Sequence, residues 1–263
     1  MRIITFNANG IRSAARKGFF SWMTRQRADV VCIQETKAQL HQLGERVFWP
    51  RGWHAYFHDA EKKGYSGVAI YSRHRPDRVI EGLGWPDVDA EGRYLEAHFG
   101  PLSVVSLYMH SGSSSEERQQ KKFNMMDRFM PYLKSLRRRR RDYIICGDWN
   151  IAHRNVDLRN WRSNQKNSGF LPEERAWMDE LFGDAGFVDA FRRVDQRDGQ
   201  YTWWSNRGQA WARNVGWRID YQVVTPRIGK LVQSARIYKE KRFSDHAPLI
   251  MDYDYRLQAT DGC

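Results

Sequence analysis

The chain predicts a four-layered α/β sandwich, in which two packed mixed β-sheets are flanked by helices. Three observations predict it. Apolar runs of strand length recur from end to end, and amphipathic patterns of helical period lie between them. Two buried-type runs, "VVCIQET" and "YIICGDWN", each lead onto an acidic residue, one in each half of the chain. Strands paired with helices in both halves fit two related sheets sharing one core. No low-complexity linker or short-period repeat divides the sequence. We therefore expect a single domain over 1–256, followed by a short polar tail, 257–263.

In chain order, the expected strands are "RIITFN" (2–7), "DVVCIQE" (29–35), "GVAIYS" (67–72), "LEAHF" (95–99), "LSVVSLYM" (102–109), "DYIICGD" (142–148), "IDYQVV" (219–224) and "HAPLIMDYDY" (246–255). Most are runs rich in Val, Ile and aromatic residues, which suits strands covered on both faces. Helical patterns fall at 18–27, 116–136 and 172–186. The last opens Pro-Glu-Glu, a helix N-terminus signal. In the second, Phe123, Met126, Phe129 and Met130 recur at helical spacing and form a core stripe, while Pro131 is expected to kink or divide the helix. The run "RRRRR" at 137–141 reads as a solvated surface that complements a helix C-terminus, with a nonspecific contribution to DNA affinity as the alternative.

The charge balance points to a partner. Lys and Arg number 43 against 31 Asp and Glu, a net +12, which favours a polyanion. Eleven tryptophans add aromatic faces that can stack on bases, although most are expected in the core. Cys32 and Cys146 lie in apolar runs and Cys263 ends the polar tail, which fits neither a disulfide framework nor a zinc site. No apolar run approaches the roughly 20 residues that cross a bilayer, and "MRIITFNANG" turns polar too soon for a secretory signal. A cytoplasmic protein without a membrane partner is expected.

Polar residues stand where strands end: Asn7 with Asn9, Glu35, Tyr108, Asp148 with Asn150, Asp220, and "SDH" at 244–246. Singly, each reads as ordinary turn chemistry. Jointly, they suggest a ligand at the strand tips, as in other layered α/β proteins. In an extended segment Asp148 and Asn150 face one point while Trp149 turns into the packing. By the same geometry Asp245 and His246 diverge, leaving Asp220 as the carboxylate to orient His246. Carboxylates with amide oxygens make an oxygen-rich set that favours Mg²⁺ or Mn²⁺ over zinc.

Eight ordered motifs, "FNANGIR", "ADVVCIQETK", "GYSGVAIYSR", "SLYMHSGS", "CGDWNIAH", "NQKNSGF", "NVGWRIDYQVV" and "FSDHAPL", carry a resemblance to a known family. Through them the chain resembles the exonuclease III family of apurinic/apyrimidinic endonucleases, bacterial type, within the endonuclease/exonuclease/phosphatase superfamily. The resemblance implies a Mg²⁺-dependent DNA-repair phosphodiesterase, with Mn²⁺ as a substitute ion. It would cut duplex DNA 5′ to an abasic site, leaving a 3′-hydroxyl and a 5′-deoxyribose-phosphate, and would act as a monomer. Exonuclease activity from 3′ to 5′ and removal of blocked 3′ ends are further expectations.

By the same resemblance Glu35 is the main metal ligand, helped by Asn7 and by Asp148, Asn150, Asp245 or His246. Asp148 would activate the attacking water, with His246 as the alternative base, or protonate the leaving group; Asn150 would hold that water or the phosphorus centre, and Asp220 would orient His246 on a phosphate oxygen. Tyr108 would place its phenol against the phosphate or the leaving oxygen. The implied DNA contacts are Ser111, Asn160, Asn164, Asn167 and Arg207, with Trp203, Trp217 and Ile219 forming an apolar pocket for a sugar without its base. Ser111 stands where the family commonly has Asn, Asn9 where one branch has an acidic residue, and His110 is unusual. The rival readings are a lipid or inositol phosphoesterase of the same superfamily and a non-catalytic DNA-binding module. Basic charge and "NVGWRIDY" disfavour the first, and a complete acidic set disfavours the second.

Overall fold

In the computed structural model, which describes residues 1–257, the strands are β1 (Arg2–Asn7), β2 (Val30–Gln34), β3 (His54–His58), β4 (Val68–Ser72), β5 (Arg78–Glu81), β6 (Tyr94–Phe99), β7 (Leu102–Tyr108), β8 (Asp142–Asp148), β9 (Val188–Asp189), β10 (Trp203–Trp204), β11 (Gly216–Trp217), β12 (Asp220–Val224), β13 (Val232–Ile237) and β14 (Leu249–Tyr253). The helices are α1 (Ile11–Arg16), α2 (Phe19–Arg25), α3 (Pro86–Asp89), α4 (Glu116–Arg137), α5 (Trp161–Asn164), α6 (Pro172–Phe182), α7 (Ala190–Val194) and α8 (Pro226–Gly229). The tail beyond Leu257, with Cys263, lies outside the described residues.

Two six-stranded sheets face each other, in the orders β13-β14-β1-β2-β4-β3 and β5-β6-β7-β8-β12-β9. Each has a single parallel pair at its centre, β1 with β2 and β7 with β8, and is otherwise antiparallel. Helices supply the crossovers that parallel pairing demands, α1 and α2 in the first sheet and α4 in the second. The last strand, β14, inserts beside the first, and the Met1 amino group donates to Tyr253 O at 2.8 Å.

The four layers follow from which faces are apolar. Ile3, Cys32, Ile70, Val104, Ile144, Cys146 and Met251 pack between the sheets. Ile4, Phe6, Val31 and Tyr71 point outward onto Phe19, Phe20 and Trp22. Val105, Ile145 and Val223 point outward onto Met126, Phe129, Leu133 and Met178. Removing the Phe129 ring would cost about 3–5 kcal/mol by leaving a cavity. Polar links also bridge the sheets: Gln34 donates to Ser106 Oγ at 2.9 Å, and Gln222 donates to Ile3 O at 3.1 Å.

Several expectations are corrected. Helix α4 runs unbroken for 22 residues, with Pro131 on its exposed side, so proline does not divide it. Ser115 caps its start, its hydroxyl accepting from Arg118 N, with Glu116 and Glu117 in the first turn and Lys134 and Arg137 in the last. Its buried stripe begins at Lys122 and continues through Met125, Met126, Phe129, Met130, Leu133 and Leu136, while Phe123 is only half-buried at the edge. Residues 246–248 precede strand β14 instead of opening it, and the helices at 18–27 and 172–186 end earlier, at Arg25 and Phe182.

Candidate active site

The two parallel pairs end on the same side of the molecule. Asn7 closes β1 and Glu35 follows β2, while Tyr108 and Asp148 stand in register at the ends of β7 and β8. Antiparallel β12 begins there, with Asp220 opposite Asp148. His246 reaches the same point through an isolated bridge with Trp203.

Glu35 and Asp148 meet across the Asn7 amide, whose Nδ2 donates to both at 2.8 Å. Glu35 takes a left-handed conformation (φ 50°), turning it off the strand line toward Asp148. Burial alone would raise its pKa. The Lys37 ammonium, 2.7 Å away, and the Asn7 amide outweigh burial and hold Glu35 below the usual carboxylate range. Asn7 faces the carboxylates with its nitrogen, and its oxygen accepts from Asn9 N at 2.9 Å. A metal-ligand role for Asn7 therefore requires a half-turn of the amide. Asn9 is exposed and bridges Lys37 Nζ (2.6 Å) and Asp245 Oδ1 (2.9 Å).

Asp148 and Asn150 both line one cavity, with Trp149 buried behind them. Simple alternation along a strand does not achieve this. Asn150 is left-handed (φ 53°); its backbone N–H donates to Asp148 Oδ1 at 2.9 Å and its side chain to Met109 O at 2.9 Å. Asparagine tolerates that conformation better than most residues.

Asp220, fully buried, holds His246 Nδ1 at 2.9 Å, leaving Nε2 3.9 Å from Asp148 Oδ2. Burial disfavours a charged imidazole, but Asp220 and then Asp148 overcome it and raise His246 to about 10. Burial, reinforced by Asp220, pushes Asp148 up to about 7, against the pull of His246. Asp245 is held down at about 2: burial is outweighed by His246 and by donors from Asn9, Trp203 and Ser244. Tyr108 lies over the Arg93 guanidinium (4.7 Å) and stays protonated, its pKa raised by burial and by the neighbouring Glu35 charge.

One cavity of about 720 Å³ joins these groups to an apolar wall: Glu35, Asp148 and His246 line one part of it, and Trp203, Trp217 and Ile219 another. Phe170 and Leu158 back that wall. Ser111 and Asn167 also line this cavity. Asn160, Asn164 and Arg207 do not; they line an adjoining groove behind Trp203 and Trp217. Ligand atoms of Glu35, Asp148 and His246 lie within 4.8 Å of one another, a carboxylate-rich grouping able to hold a divalent cation. Lys37 and Lys122 were missed by sequence reasoning. A signal existed for Lys122, a charge at the head of an apolar helical stripe.

The comparisons agree with this geometry. Residues 4–246 match the family model described as the endonuclease/exonuclease/phosphatase family. The chain is 38% identical to the exodeoxyribonuclease of Bacillus subtilis (strain 168), over 95% of this chain and 98% of that protein. It is 32% identical to the DNA-(apurinic or apyrimidinic site) endonuclease of Dictyostelium discoideum, over 95% and 69%. Among solved structures, a 3′ phosphatase, NExo, from Neisseria bound to product DNA hairpin superposes with a TM-score of 0.89 at 26% identity, covering 97% of this chain and all of that one.

Proposed function

The chain belongs to the endonuclease/exonuclease/phosphatase family, and from that premise we propose that it hydrolyses the backbone of duplex DNA on the 5′ side of abasic sites. It is a DNA-repair nuclease, a hydrolase of the exodeoxyribonuclease and abasic-site endonuclease type. The observation that carries the substrate is the single cavity in which the acidic cluster adjoins the Trp203–Trp217–Ile219 wall. A deoxyribose lacking its base fits an apolar slot that a full nucleotide overfills, and an abasic site unstacks at low cost.

The family is metal-dependent, and the residues here fit a hard cation. Two carboxylates and an imidazole converge, burial and Asp220 push Asp148 upward, and Asp220 Oδ1 is buried without a partner among the described residues. We take the ion to be Mg²⁺, with Mn²⁺ as a substitute, held by Glu35 and Asp148 with Asn7, Asn150 or Asp245 in support. It would supply charge neutralisation at the phosphate. His246, kept cationic by Asp220, is better suited to donate from Nε2 to a phosphate oxygen than to ligate a metal. Asp148 takes the proton of the attacking water. The water oxygen bonds to phosphorus as the bond to the 3′ oxygen breaks, and that oxygen takes a proton from solvent water and leaves as a hydroxyl, while Asp148 later returns its proton to solvent. Tyr108 donates to the phosphate and Asn150 fixes the attack line.

Ser111 and Asn167 hold the strand at the cavity mouth. Asn160, Asn164 and Arg207 contact the duplex along the adjoining groove. Processing of 3′ ends uses the same centre. Residues 1–256 act as one monomeric domain on DNA in the cytoplasm; the core that both sheets share supports the single domain. Among the described residues, no helix is long and apolar enough to cross a membrane.

The test is a set of labelled duplexes carrying an abasic analogue, a 3′-phosphate, a matched 3′ end or no lesion, each with Mg²⁺ or EDTA. Mg²⁺-dependent incision 5′ to the abasic analogue is expected. Turnover of phosphoinositides with none on any duplex would transfer the protein to the lipid branch, and tight duplex binding without turnover would make it a binding module.

A further inference from the structure

The catalytic centre does not use Lys122, yet this lysine is fully buried on a helix face that is otherwise apolar. Its ammonium makes two contacts. It donates to Glu174 Oε1 at 2.5 Å and to the backbone carbonyl of Asn150 at 2.8 Å. Glu174 is equally buried, and its second oxygen accepts from Gly169 N at 2.6 Å and Leu171 N at 3.0 Å. Gln119 adds a further donor to Oε1 at 3.1 Å. The pair thus joins α4, the left-handed Asn150 and the base of the 164–171 loop.

A stability role alone explains this poorly. Desolvating two charges is costly, and an apolar pair of similar volume at such positions commonly serves folding as well or better. Met at 122 would simply extend the stripe of Met125, Met126 and Phe129. Capping of α6 accounts for the Leu171 contact but not for the lysine or for the Asn150 carbonyl.

The loop base is packed closely as well. Gly169 sits at φ +92°, and a Cβ there would come within 3.1 Å of Asn150 O and 3.2 Å of Trp217 Cζ3. Its carbonyl accepts from Ala152 N at 2.8 Å. Shifting any one of Asn150, Gly169 and Trp217 therefore disturbs the other two.

We propose that Lys122 and Glu174 are positioning residues that lock Asn150 to the 164–171 loop and its Trp217 wall, so that the chemical centre and the DNA-holding segment keep one geometry. This rests on the function proposed above, because it assigns the pair to that site. One ammonium thereby serves both the Glu174 carboxylate and the carbonyl of the left-handed Asn150.

The decisive variant is Lys122→Met/Glu174→Gln, which removes both charges and keeps an acceptor for the α6 cap. Melting temperature, kcat and KM are measured on the abasic duplex. We expect melting close to wild type, kcat lowered at least tenfold and KM raised severalfold. Wild-type kcat and KM in the folded double variant would overturn the proposal, as would a loss that only tracks the folded fraction. Glu174→Asp, which keeps both charges but withdraws the carboxylate by one methylene, decides the matter if the double variant does not fold. A threefold or larger fall in kcat/KM with unchanged melting supports the lock, and unchanged kinetics overturn it. A wild-type protein inactive on every duplex would instead defeat the functional reading, so the two failures are distinct.

Discussion

Replacing Asp157 by Asn tests whether the pocket wall is held in place by buried charge. Asp157 is fully buried, and its Oδ1 accepts from Arg218 Nε at 2.8 Å and Arg192 Nη2 at 2.7 Å, while Oδ2 accepts from Arg154 N at 2.9 Å. Arg218 sits between Trp217 and Ile219, so this web fixes both sides of the apolar slot. Burial would raise the Asp157 pKa, but Arg218 and Arg192 outweigh it and lower it from 3.8 to about 2. At about 1.4 kcal/mol per pH unit, that shift is worth about 2 kcal/mol of folding stability. Breaking a buried pair outright costs about 3–5 kcal/mol, so Asp157→Asn should destabilise the protein by about 2–4 kcal/mol at pH 7. For a chain of this size that is roughly 5–10 °C in melting temperature. The sign with pH is fixed, because a carboxylate with a depressed folded pKa stabilises above its unfolded value and loses that contribution as pH falls toward the folded one. Urea unfolding at pH 7, 5, 4 and 3 should show the difference between wild type and variant holding to near pH 4 and narrowing below it. An unchanged midpoint at pH 7, or a gap of constant size down to pH 3, would refute the reasoning.

Three further outcomes are expected. Asp220→Asn should lower kcat of the folded enzyme by roughly 10–150-fold, the value of one buried charge-assisted hydrogen bond; single-turnover rates on the abasic duplex, normalised to the folded fraction, check this, and a wild-type rate would remove Asp220 from the mechanism. Glu35→Gln should raise the Mg²⁺ concentration for half-maximal activity by about tenfold or more, with recovery at high Mg²⁺, read from rate against metal concentration; an unmoved midpoint would exclude Glu35 as a principal ligand. Ile219→Trp should fill the slot and raise KM on the abasic duplex by roughly tenfold without weakening binding to intact duplex, as measured by kinetics and fluorescence anisotropy; equal losses on both would point to general damage.

The eight apolar runs seen in the sequence are the eight interior strands of the two sheets, β14, β1, β2 and β4 in one and β6, β7, β8 and β12 in the other. The edge strands β3, β5, β9 and β13 escaped notice because they are covered less fully. Arg78–Glu81 is exposed at both ends, and Val232–Ile237 is interrupted by exposed Gln233, Ser234 and Arg236, so neither carries a sustained apolar signal. The acidic strand tips were legible for the same reason, since a charge that follows a buried run stands out. Pairwise placement was less legible. Asp148 and Asn150 converge through a left-handed residue, not through alternation, and Asn160, Asn164 and Arg207 gather in a groove beside the main cavity. Such arrangements depend on contacts between segments far apart in the chain, as when Lys122 on α4 reaches Asn150 O.

The placement of β14 against β1 sets when this chemistry can first exist. His246 occupies its position on the approach to β14, which slots in next to β1 and follows the other described strands in the chain. A growing polypeptide still on the ribosome, lacking that closing strand, holds most of the acidic groups but not the imidazole that faces them. Until β14 docks beside β1, the carboxylates at the strand tips lack the imidazole that faces them.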